Sequence, residues 1–471
     1  MIFETLKPNF IKAKSNHLKF SIVAVMYNSK IALFYLTSLF IGIRCSGKAI
    51  EFRWIEQKLD HFHTDSRTFK MRYMVKEDYF KPNGTIFFFM GGEGTILSPT
   101  TNVSHIMLTK SYINDLAQRY GGYLIHSEHR YYGESKPTKY LNVKSLKYLT
   151  VPQAMADVAA LIRFLKGNTT HFGESKVFLV GGSYSGSMVP WFAKLYPNLI
   201  DLGWGSSAPF QFKTELRAFY SKALKLVLQV GGKKCHHQIV DGLKSLKYAL
   251  NKHNTSKLIE MNICGFDHTK NEYVINLFER LTKVVGTLVQ YGNIKEGCKD
   301  ISKSSFTLFL KKQLNGNSTK CYDSVSSFKS LRDVHYITDS ARLWLYQSCD
   351  ELGNFQTSEY IPLDFWFDMC LDVFGNKFSN CYIDRRVKDT DRNFEDMENR
   401  DSFRRVFLTQ PELDAWTSTK VRKHKRTYFL KGATHCEDLQ ASSENDKPSI
   451  KVLKRDIDIE VQKLQHKAHK H

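Results

Sequence analysis

The chain has 471 residues, 42% of them hydrophobic and 24% charged, a composition that supports a large core and excludes a mainly disordered protein. Its formal net charge is +21, but the basic residues are dispersed rather than laid along a recognisable binding motif, which speaks against nucleic acid as a partner. At this length one large domain carrying an insertion, or two domains, is expected.

The first segment, "MYNSKIALFYLTSLFIGIRCSG" (26–47), has Lys30, an apolar run from Ile31 to Ile43, and then small residues Ser46 and Gly47. That order predicts a secretory leader over 1–47, with Met26 a natural start and a signal anchor as the alternative. The leader holds six Lys/Arg and one Glu, so its loss takes the net charge from +21 to about +16. Cys45 would leave with it, and the remaining cysteines, Cys235, Cys264, Cys298, Cys321, Cys349, Cys370, Cys381 and Cys436, form an even set without a C-x-x-C pair. Such a set reads as disulfides in an oxidising compartment, with pairings that spacing alone leaves open. Five sequons, at Asn83, Asn102, Asn168, Asn254 and Asn317, point to the same compartment. A secreted or lysosomal location is therefore expected, with no stable membrane span in the mature chain.

Next come "GTIFFFMGGEG" (84–94) and "YGGYLIHSEHRYYGES" (120–135), apolar runs that end in glycine or charge as buried strands do. "VPQAMADVAALIRFLK" (151–166) has helical spacing, "VFLV" (177–180) reads as a further strand, and "SGSMVPWFAKLYP" (185–197) as the helix behind it. Pro190 predicts that this helix is short, kinked or late to start. After "GWGSSAPF" (203–210) helical periodicity takes over, in "FKTELRAFYSKALKLVLQV" and "NEYVINLFERLTKVVGTLVQY". The sheet pattern returns at "FRRVFLTQPELDAW" (403–416) and "TYFLKGATHCEDL" (427–439), before a final amphipathic helix over 450–465. This predicts an α/β chain with a mostly parallel sheet: leader 1–47, first part 48–209, helical insertion 210–345, second part 346–471.

"VGGSYSGS" places Ser183 at a tight strand-to-helix corner, with Gly181 two before it and Ser185 and Gly186 after it. That is the pattern of a nucleophile elbow, in which small neighbours let strand and helix approach while the serine hydroxyl is exposed. A purely structural glycine turn is the plainer reading. Acyl transfer also needs a base and an acid to orient it, and on this fold they follow in the order acid, then histidine, on loops after late strands. Asp414 and His435 stand where that order demands. Singly, Asp414 reads as a helix N-cap and His435 as a packed loop residue; the conjunction carries the chemistry. The backbone amide of Tyr184 and one from the Gly92–Glu93 segment of "GGEG" are the expected oxyanion donors. No Lys-Ser/Thr follows that segment, so a phosphate loop is disfavoured. "KKCHHQ" (233–238) and "HSEH" (126–129) lack the spacing of a zinc site, and neither a metal nor a cofactor is implied.

Taken together, "QKLDHF" (57–62), "GGEG" (91–94), "EHRYYGES" (128–135), "GGSYSGS" (181–187), "SSAP" (206–209), "YQSCDELGNFQTS" (346–358) and "GATHC" (432–436) resemble the lysosomal Pro-X carboxypeptidase family of serine peptidases. Cys436 after the histidine, and "MCLDVFG" (369–375), bring the chain nearest its thymus-specific serine protease branch. The resemblance implies an α/β-hydrolase fold with an inserted helical cap, a triad of Ser183, Asp414 and His435, and exopeptidase action near proline. It makes Cys349 and Cys370 a candidate disulfide, and it implies that the "EHRYYGES" block shapes the site. Glu134 is open between a substrate amine and a structural salt bridge. The family's Asn-Gly before the acid and Asp-Pro-Trp at it are replaced by Gln410, Pro411 and Asp414-Ala415-Trp416. A peptide is the expected substrate; monomer and homodimer are both open. The alternatives are a secreted binding module with a dead triad and a lipase or esterase on the same fold. The basic run "VRKHKR" (421–426) lies between Asp414 and His435, where it either rims the cleft or forms a solvated face.

Overall fold

A computed structural model describes residues 50–96, 103–316, 318–336, 340–395, 401–419 and 425–468. The leader and the Asn102 and Asn317 sequons lie outside them. Eight strands make one sheet: β1 (Glu51–Lys58), β2 (Thr68–Lys76), β3 (Ile86–Phe89), β4 (Tyr123–Ser127), β5 (Val177–Gly182), β6 (Leu202–Ser206), β7 (Val406–Pro411) and β8 (Thr427–Leu430). Their spatial order is β1-β2-β4-β3-β5-β6-β7-β8. β2 pairs antiparallel with both β1 and β4, and every other neighbouring pair is parallel.

The central strands read as unbroken apolar runs because both their faces are covered. Ile86 and Phe88 of β3, with Val177 and Leu179 of β5, face one core together with helices α2 (Val151–Gly167) and α3 (Tyr184–Leu195). Phe87, Phe89, Phe178 and Val180 face the other, against α1 (Tyr112–Tyr120) and the C-terminal helix α6 (Pro448–Ala468). Alternate residues of one strand thus feed two cores, which locks the register.

Between β6 and β7, helices follow one another from Arg217 to Glu395, so helical structure extends past residue 345. The longest are α4 (Arg217–Asn251), kinked where Gly232 takes φ 81°, and α5 (Asn271–Gln290). Three disulfides tie this region. Cys235–Cys298 joins α4 to the helix Ile294–Lys303, Cys264–Cys321 ties the short strand Ile263–Cys264 to the residue just before its partner Tyr322–Asp323, and Cys349–Cys370 is the pair the resemblance implies. The reading of all eight cysteines as disulfides is corrected, because Cys381 and Cys436 are free thiols. Among the described residues no helix is long and apolar enough to cross a membrane.

Candidate active site

Ser183, Asp414, His435 and the "GGEG" loop all follow the C-terminal ends of strands, where parallel α/β sheets build their clefts. Ser183 stands between β5 and α3 at φ 56°, ψ −126°, a conformation that L-residues rarely adopt and that persists only when its surroundings enforce it. Its amide donates to the Ser206 carbonyl at 2.9 Å. A β-carbon on Gly181 would lie 2.3 Å from the Ser185 carbonyl oxygen, and one on Gly186 would lie 2.7 Å from that of Ser206, so strand and helix meet at those two glycines. Ser185 is tolerated because its Oγ bridges the turn, accepting from the Gly182 amide at 3.1 Å and donating to the Gly182 carbonyl at 2.9 Å. α3 starts at once and runs through Pro190 to Leu195, rather than starting late.

Asp414 does two things at once. Its Oδ1 accepts from the Trp416 amide at 3.0 Å, capping the short turn Ala415–Ser418. Its Oδ2 accepts from His435 Nδ1 at 2.6 Å, with both side chains buried. Burial favours the neutral imidazole, but the Asp414 charge outweighs it, with help from Cys436, and holds the His435 pKa above the ordinary histidine value. Nε2 of His435 is buried without a hydrogen-bond partner, so the bond to Ser183 Oγ is not made in this structure. Long or unmade catalytic hydrogen bonds are common before substrate binds.

One cluster at the ends of β6 and β7 brings the serine and histidine loops together. Ser207 Oγ accepts from the Cys436 amide at 2.8 Å, next in the chain to the residue whose carbonyl anchors Ser183. Asp438 takes Ser206 Oγ on one oxygen and Thr409 Oγ1 on the other, each at 2.6 Å. The His435 amide donates to the Gln290 carbonyl at 3.0 Å, so the last turn of α5 reaches the site. Tyr184 is fixed from below: Gln347 Nε2 donates to its hydroxyl at 2.8 Å, while the Gln347 carbonyl accepts from Tyr132 at 2.5 Å. Sequence reasoning did not single out Gln347, Ser207 or Asp438, although "YQSC" and "SSAP" carry the first two.

The "EHRYYGES" block is scaffold. Glu128 is salt-bridged to Arg72 at 2.6 Å and also accepts from the Glu134 and Ser135 amides. Arg130 holds Asp157 of α2 bidentately, at 2.6 and 2.7 Å. Burial depresses the pKa of His126 to about 3 and that of His129 to about 4, so both rings are neutral. Glu134 is half exposed and pairs with Lys136 at 2.9 Å. Cys235 of "KKCHHQ" is spent in a disulfide, and no metal-holding cluster occurs among the described residues.

Ser183 and Tyr184 open into a cavity of ≈ 180 Å³ under the helical region, together with Glu93. Aromatic side chains form part of its wall, Phe212, Phe219, Trp344, Phe355, Trp366 and Trp416 among them, and Glu279, Arg280 and Lys283 add charge. Glu93 is buried, and both its carboxyl oxygens lack hydrogen-bond partners. Gly92 packs on the elbow, since a β-carbon there would lie 3.8 Å from Ser185 Cβ. The basic run does not rim this cleft in its described part: Arg426 precedes β8, at the end of the sheet opposite His435, and binds Glu460 at 2.9 Å. Residues 421–424 lie outside the described chain. Asn168 and Asn254 are exposed, whereas Asn83 is half-buried ahead of a buried Thr85.

A mostly parallel sheet with an elbow serine after its central strand and a carboxylate–imidazole pair after its last two defines an α/β-hydrolase with an inserted helical cap. Residues 57–457 match the family model "Serine carboxypeptidase S28". The chain belongs to that family and is a serine peptidase. It is similar to the thymus-specific serine protease of Mus musculus, with 25% identity over 456 residues, covering 87% of this chain and 86% of that one. The lysosomal Pro-X carboxypeptidase of Bos taurus is 39% identical over 162 residues, 33% of this chain and 31% of that one. Among solved structures, the proline iminopeptidase of Mycobacterium smegmatis aligns with 11% identity and a TM-score of 0.39, over 88% of this chain and 100% of that one.

Proposed function

We propose that Ser183 is the nucleophile, His435 the general base and acid, and Asp414 the group that orients the imidazole, in an exopeptidase with a preference near proline. The observation that carries this is the 2.6 Å Asp414–His435 bond, which commits Nδ1 as the donor and leaves Nε2 to take the serine proton. Ser183 Oγ attacks the scissile carbonyl while Nε2 accepts its proton, and the imidazolium then returns that proton to the leaving amine. The Tyr184 amide, in the unpaired first turn of α3, and an amide of the Gly92–Glu93 segment stabilise the oxyanion. The aromatic part of the cavity wall beside Ser183 offers an apolar surface that suits a compact ring such as proline. The name of the Pro-X carboxypeptidase relative agrees with that preference. Three disulfides and the exposed Asn168 and Asn254 sequons support a secreted or lysosomal protein.

The test is fluorophosphonate labelling of the full chain, followed by mass spectrometry of a mixed peptide library. Labelling at Ser183 that Ser183→Ala abolishes, with terminal residues released beside proline, is the expected result. A folded chain that does not label would instead be a binding module with a dead triad. Release of internal fragments without regard to proline would overturn the exopeptidase part alone.

A further inference from the structure

Glu93 has no task for its side chain in the chemistry above, which uses at most its backbone amide. It follows Gly92 on the loop after β3, is 2% exposed, and lines the cavity that Ser183 opens into. Neither of its carboxyl oxygens has a hydrogen-bond partner. Glu128, on the neighbouring strand's loop, shows what a structural acid looks like here: it accepts from Arg72, Thr95 and Ser135 side chains and from the amides of Ile96, Glu134 and Ser135. Buried carboxyls are as a rule satisfied in this way. An unsatisfied one in the wall of a substrate cavity is an acceptor whose donor arrives with the substrate.

The kind of donor follows from the surroundings. The Glu93 carboxyl lies within electrostatic reach of His435, Tyr132, Tyr184 and Tyr291, so it sits close to where negative charge develops in the reaction. A substrate carboxylate there would place two acids side by side next to the nascent oxyanion. An ammonium group brings three donors, neutralises the carboxylate and lowers the energy of the oxyanion. Burial holds the Glu93 pKa above the ordinary carboxyl value. An ammonium bound there pairs with the Glu93 carboxylate.

We infer that Glu93 receives the free N-terminal ammonium of a peptide substrate, so that this peptidase cuts close to the amino end of its substrates rather than the carboxyl end. The inference rests on Ser183 being the nucleophile. A lysine side chain is a weaker candidate for the same donor, since its long, flexible stem would have to be ordered against the aromatic walls next to the scissile bond.

The experiment crosses free and acetylated N-termini with free and amidated C-termini in one peptide series, cleaved by the full-length chain and by its Glu93→Gln variant. Wild type should prefer the free amine by at least about 30-fold in kcat/KM, the scale of a charge-assisted hydrogen bond in a dry site. C-terminal amidation should matter by less than about threefold, and in Glu93→Gln the N-terminal preference should shrink to about threefold or less. Calorimetry on the Ser183→Ala chain provides a readout that does not depend on how Glu93→Gln folds; the free-amine peptide should bind about tenfold or more tightly than its acetylated form. A preference that follows the C-terminus, an N-terminal preference that survives Glu93→Gln, or equal affinities in calorimetry would each overturn the inference. So would acetylated peptides with lysine at the cut being discriminated by Glu93→Gln as strongly as free amines. Fluorophosphonate labelling of wild type runs alongside: labelling without amine preference sinks only the role of Glu93, whereas no labelling and no cleavage sinks the nucleophile assignment with it.

Discussion

Glu351 should make this fold lose stability as pH rises through the neutral range. It lies in the single π-turn Ser348–Leu352 just beyond Gln347, is 5% exposed, and accepts from the Val151 amide at the start of α2 at 2.8 Å. Burial, and then the charge of Asp350, raise its pKa from 4.5 to about 8, against the pull of the Val151 amide and Arg386. Between those two values the folded chain holds a proton that the unfolded chain has lost. Stability therefore falls with pH across that window, by about 1.4 kcal/mol per pH unit. Over the whole interval the upper limit is about 5 kcal/mol. Glu351→Gln keeps the shape and the acceptor for Val151 but removes the proton. The variant should match wild type near pH 4.5 and exceed it at pH 8 by several kcal/mol, or about 3–6 °C in Tm for a chain of this size. Thermal melts of both proteins at three pH values read this directly. Parallel Tm-versus-pH curves would refute the claim that Glu351 is held protonated by the fold.

His435 must be neutral to act as a base, and Asp414 holds its pKa above 6.5, so kcat/KM should fall as pH drops through and below neutrality; a flat acid limb in a pH–rate profile would contradict the pairing. Asp414→Asn should lower kcat by about 10⁴-fold with little change in Tm, since the lost acceptor fixes the tautomer. Gln347→Leu removes the acceptor of the buried Tyr132 hydroxyl and leaves Tyr184 with His129 alone, and should cost about 1–3 kcal/mol in urea unfolding. Paired Cys349→Ser and Cys370→Ser substitutions open a loop of sequence separation 21 and should cost about 3 kcal/mol, read as a lower Tm under non-reducing conditions.

How much of this was legible in the sequence depended on how each element is buried. β3, β4, β5 and β7 stand out as continuous apolar runs because the sheet covers both their faces. β1 does not: it is an edge strand whose Phe52 and Trp54 face solvent, so its alternation points to no core. β6 hides for the opposite reason. Two of its five residues are glycines, a composition that argues against a strand, and a β-carbon on Gly205 would lie 2.5 Å from the Gly186 carbonyl oxygen. The feature that removed the strand signal is the one that lets the elbow helix approach. Gln347, Ser207 and Asp438 were illegible because their partners lie 163, 229 and 232 residues away, and no local pattern distinguishes a glutamine, a serine or an aspartate that will find such a partner.

The loop carrying Asp414 shows why chain spacing was the poorest guide to the site. Gln410 and Pro411 stand in place of the family's usual turn, and only 20 residues separate Asp414 from His435. The interval matters little, because the Leu413 amide donates to the Ala433 carbonyl at 2.9 Å and fixes the approaches to both residues against each other. The Glu412 amide, bonded to the Leu430 carbonyl at 2.9 Å, carries the β7–β8 pairing up to that point. Gln410 closes the far side, its buried Nε2 donating to the Thr419 carbonyl at 3.1 Å. What aims the acid is therefore a set of cross-strand bonds between β7 and β8, which any sequence that keeps the pairing can supply, and not the identity of the residues in the turn. Substituting Gln410 should accordingly loosen Thr419 and the turn while sparing the Asp414–His435 bond, whereas lengthening the chain between Leu413 and Asp414 by one residue should break it.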